Sequence, residues 1–146
     1  TPGVFAARNQ RRGLVSRLPR AQEYLKTGFN AEAASAARFR AAAVRATQEG
    51  HPKLADAWRA LAAEKDDLAR IQLEAAGQVR GGNQDLEAAL AEERYENDSL
   101  YPRMSGEVDA ETAAVFAQVV ARQQEHLARL DSLLDAMTRS SGDFSG

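Results

Sequence analysis

Apolar residues recur at three- and four-residue intervals along four stretches of this chain, and that spacing predicts four helices. The first is expected over 19–49, with Leu25, Phe29, Glu32, Ala36, Phe39, Ala43 and Ala46 on one face. Gly50 is a natural stop, and Pro52 suits the first turn of a second helix over 52–79. There Leu54, Trp58, Leu61, Leu68 and Ile71 share a face with Lys65. Gly81-Gly82-Asn83 marks a break. A third helix is expected over 84–103, with Leu86, Leu90, Glu93, Glu96 and Leu100 on one side and Asn97 beside Glu96. Ser105-Gly106 turns the chain, Asp109 suits an N-cap, and a fourth helix over 110–138 carries Phe116, Val119, Gln123, His126, Leu130, Leu133 and Met137.

Each stripe is interrupted near its middle by polar residues: Glu32, Lys65, Glu93 with Glu96, and Gln123 with His126. Charge inside a bundle is costly unless it is paired or bound to metal. Four interruptions at matching depth therefore point to one shared polar site. The two halves also look alike, each with an aromatic residue ten positions before a site position: Trp58 before Leu68, and Phe116 before His126. A duplicated helical hairpin would produce that pattern.

Composition narrows the chemistry. The chain has 146 residues, enough for one domain with a core, and β-branched residues are few. It has no cysteine, which excludes disulfides, thiolate metal sites and a cysteine nucleophile. No apolar run approaches the roughly 20 residues that span a bilayer. Net charge is −2, but five arginines (Arg8, Arg11, Arg12, Arg17, Arg20) crowd the first 20 positions without an acid. The expected organisation is a basic arm over 1–18, a four-helix domain over 19–138 and a small-residue tail over 139–146. The arm suits an acidic protein partner or a larger assembly. Nucleic acid is disfavoured because no aromatic residues interleave the arginines. The arm otherwise reads as a solvated tail.

The motif Glu93-Arg94-Tyr95-Glu96, followed by Leu100-Tyr101-Pro102, resembles the third helix of rubrerythrins, a branch of the ferritin-like proteins. Phe29, Glu32, Phe39 and Glu49-Gly50 are similar to that family's first helix, and Val115-Phe116 with His126 to its fourth. The resemblance covers about 25–135. It implies an all-α, ferritin-like four-helix bundle and a site for two irons held by carboxylates and histidines. Glu32, Glu93, Glu96 and His126 stand at retained ligand positions. Lys65, Leu68 and Gln123 stand where the family has a glutamate, a histidine and a glutamate. A one-residue slip would offer Glu64 and Asp67 instead, against the register of Leu61 and Leu68. In the favoured register, the Lys65 ammonium is expected among Glu32, Glu93 and Glu96, replacing metal charge. If Lys65 instead extends to solvent, one metal could still bind through Glu32, Glu96 and His126.

Tyr95 and Tyr101 read as core or as donors near the site, and His51 as an exposed turn residue. The helix two–three connection reaches only about 20 Å, against a helix of about 42 Å. The bundle is thus either up-down or completed by hairpin swapping in a homodimer, and the resemblance favours the homodimer.

Two functions follow from different classes. One is a non-catalytic binding or structural component with a degenerate diiron site, holding one iron or none. The other is a diiron oxidoreductase that reduces peroxide or oxidises ferrous iron, drawing electrons from an external donor because the chain lacks cysteine ligands of its own. Neither haem nor nucleotide is implied. The expected location is the cytoplasm, with an organelle matrix or an encapsulated assembly as alternatives.

Overall fold

The computed structural model describes residues 18–140; the basic arm (except Leu18) and the last six residues of the expected tail lie outside them. The described residues are mostly helical, joined by short turns, and contain no strand. Four helices account for them: α1 (Ala21–Gln48), α2 (Pro52–Ala75), α3 (82–105) and α4 (Ala110–Ser140). Helix α3 is α-helical over Gly82–Tyr95, widens into a π-helical turn over Glu96–Leu100, and is α-helical again over Tyr101–Ser105. The chain divides between Val79 and Arg80 into two compact units. The first is the α1–α2 hairpin and the second the α3–α4 hairpin.

Backbone chemistry sets the ends. Gly50 takes φ +80°, a left-handed conformation open to glycine, and the N–H of His51 then reaches back to the carbonyl of Ala46 at 2.8 Å. Gly77, at φ +71°, closes α2 in the same way, with the Gln78 N–H donating to Leu73 O at 3.1 Å. The expected extension of α2 to residue 79 is therefore four residues too long, because Gly77 already ends the helix.

Acidic side chains start the second unit's helices. Asp85 accepts the N–H groups of Arg80 (2.9 Å) and Gly81 (3.0 Å) ahead of α3. Asp109 accepts the Thr112 N–H at 2.8 Å and its hydroxyl at 3.1 Å, the N-cap expected from sequence. These bonds favour the ionised form and hold both carboxyls below the ordinary aspartate range. A carboxyl depressed on folding adds stability above its unfolded pKa and loses it as pH falls through the folded value. The acid limb of a stability–pH curve should therefore flatten in Asp109→Asn, which keeps an acceptor for the cap but does not titrate. An unchanged limb would remove Asp109 from this account.

The first hairpin packs differently from its expected stripe. Its buried apolar side chains are all alanine: Ala36, Ala43 and Ala46 on α1, Ala55, Ala62 and Ala69 on α2, and Ala76 at the C-cap of α2. The α2 set repeats every seven residues, as a left-handed helix pair requires. Side chains this small let two helices approach toward the ~8 Å lower limit of interaxial distance. Leu54, Leu61, Leu68 and Ile71, expected in the core, lie off this seam and are about half exposed. Phe39 and Trp58 meet across the hairpin as a tilted pair with centroids 5.0 Å apart, and Arg40 pairs with Asp66 at 2.7 Å.

The second hairpin buries Leu90, Asn97 and Gln123. It has its own aromatic pair, Tyr101 against Phe116 at 5.6 Å, and its own surface bridge, Arg94 to Asp131 at 3.0 Å. Tyr101 is thus a packing residue, while Tyr95 is exposed. No helix among the described residues is long and apolar enough to cross a membrane.

Candidate functional site

The interruptions in the four stripes become cross-helix pairs within each hairpin. In the first, Lys65 Nζ of α2 lies 2.8 Å from Glu32 Oε2 of α1. Both side chains are mostly shielded, Lys65 30% and Glu32 24% exposed. The contact is close but off the axis of a directional hydrogen bond, so it is an ion pair. Lys65 turns inward because it lies on the side of α2 that faces Glu32, one helical step from the buried Ala62 and Ala69. Glu64 and Asp67, the slipped alternative, are both exposed, and Asp67 pairs with Arg70 on its own helix at 3.8 Å. Leu68 sits one turn beyond Lys65, about half exposed, and supplies no ligand atom.

The second hairpin brings two acids of α3 to two polar residues of α4. His126 Nδ1 lies 3.2 Å from Glu93 Oε1, and Gln123 Nε2 donates to Glu96 Oε2 at 3.1 Å. Both pairs rest on i, i+3 spacing, which puts Glu93 with Glu96, and Gln123 with His126, on one side of each helix. Gln123 is buried, whereas the His126 side chain is 52% exposed. Two acceptors, Glu93 Oε2 and Gln123 Oε1, are buried without a donor. A groove of about 280 Å³ runs beside Glu93 and His126, walled by Ala89, Leu130 and Leu133 with Arg129 at its edge.

Sequence reasoning set Asn97 beside the site but missed what it does. Its Nδ2 donates to the Val120 carbonyl at 2.9 Å, tying α3 to α4 one residue from Glu96. The π-helical turn places it there. In that turn the Tyr101 N–H bonds Glu96 O, five residues back, just before Pro102, which has no N–H to give. Pro102 was the available signal.

The donor set does not suit a two-iron centre. An α1–α2 hairpin that offers one carboxylate, already bound to an ammonium, gives no pair of oxygen and imidazole ligands. The α3–α4 hairpin keeps Glu93, Glu96 and His126, but Gln123 already donates to one of those carboxylates. His51, in the turn between α1 and α2, is exposed as expected. Compared with family models, curated proteins and solved structures, the chain finds no match in any of the three.

Proposed function

We propose that this chain is a ferritin-like scaffold with a degenerate diiron site, acting as a binding or structural component and not as an enzyme. The observation that carries the reading is Lys65 Nζ at 2.8 Å from Glu32 Oε2. A fixed cation on the carboxylate opposes a metal ion at the same oxygens, through both charge and space. Gln123 acts in the same direction: it offers Glu96 an N–H where the family resemblance places a carboxylate. Every interrupting acid thus has an organic partner within its own hairpin.

The test is the metal content of the purified protein after anaerobic loading with ferrous iron, followed by removal of unbound ion. No retained iron is expected. About two irons per chain, with an oxo-bridged visible absorption on adding oxygen, would overturn the scaffold reading.

One observation favours the second reading, a diiron oxidoreductase with an external electron donor. Glu93 Oε2 and Gln123 Oε1 are buried acceptors without donors, and a cation would satisfy both. That reading requires peroxide turnover with added iron that disappears in Glu93→Gln.

A further inference from the structure

We draw no further inference here: the strongest candidate, the groove of about 280 Å³ beside Glu93, His126 and Arg129 in the α3–α4 hairpin, belongs to the site already described, and nothing in the structure shows what covers it.

Discussion

Lys65→Glu should lower the melting temperature of the metal-free protein by roughly 5 °C, and adding manganous or ferrous ion should raise it again. The substitution removes the cation that pairs with Glu32 and sets a second carboxylate opposite it. Fully exposed pairs contribute up to about 1 kcal/mol, while breaking a fully buried one costs about 3–5 kcal/mol. These side chains are roughly three-quarters shielded, so about 1.5 kcal/mol is expected between those limits. At roughly 3–4 °C per kcal/mol for a chain of this length, the shift follows. Two facing carboxylates are hard oxygen ligands, and a divalent ion that binds only the folded form stabilises it by mass action, by about 2.7 kcal/mol at a hundred times its Kd. Thermal melts of wild type and variant, each with and without metal, check this. A variant that melts at the same temperature in chelator and in manganese would sink the idea that Lys65 stands in place of metal charge.

A larger loss is expected from Ala62→Leu. Ala62 sits in the alanine seam between α1 and α2 and is almost completely buried. Three added carbons have no space there unless the helices move apart, which would also disturb Ala36, Ala43, Ala55 and Ala69. Overpacking a tight core costs up to about 3 kcal/mol, or roughly 10 °C in melting temperature. Ala60→Leu, at an exposed position on the same helix, should change stability by less than about 0.5 kcal/mol and serves as the control. Equal melting temperatures for the two variants would mean that the seam is not the packed surface of this hairpin.

The punctuation of the fold was legible in the sequence because it depends on local chemistry. Gly50 with Pro52, the break at Gly81-Gly82, and Asp109 each mark a boundary through their own φ preference or hydrogen bonding. The pairing of α3 with α4 was partly legible too, since Glu93, Glu96, Gln123 and His126 fall on facing sides through their spacing alone. The first hairpin's core was not. Reading by hydrophobic bulk assigns the core to Leu54, Leu61 and Leu68, whereas the packed row is Ala55, Ala62 and Ala69, one residue and about 100° around the helix. Alanine gives little signal because it is common on every helical face. What selects it here is the distance between two backbones, which no single helix encodes. The π-helical turn was hidden for a related reason: one wider turn leaves the apolar spacing on either side nearly unchanged, and only Pro102 hints at it.

The alanine seam also shapes how the first hairpin responds to temperature and denaturant. Methyl groups carry no rotamers, so closing the seam loses no side-chain entropy. They also bury little apolar area per residue, and the heat capacity of unfolding scales with that area. The isolated hairpin should therefore have a shallow stability curve and a small denaturant slope, with its helices loosening over a broad range of conditions.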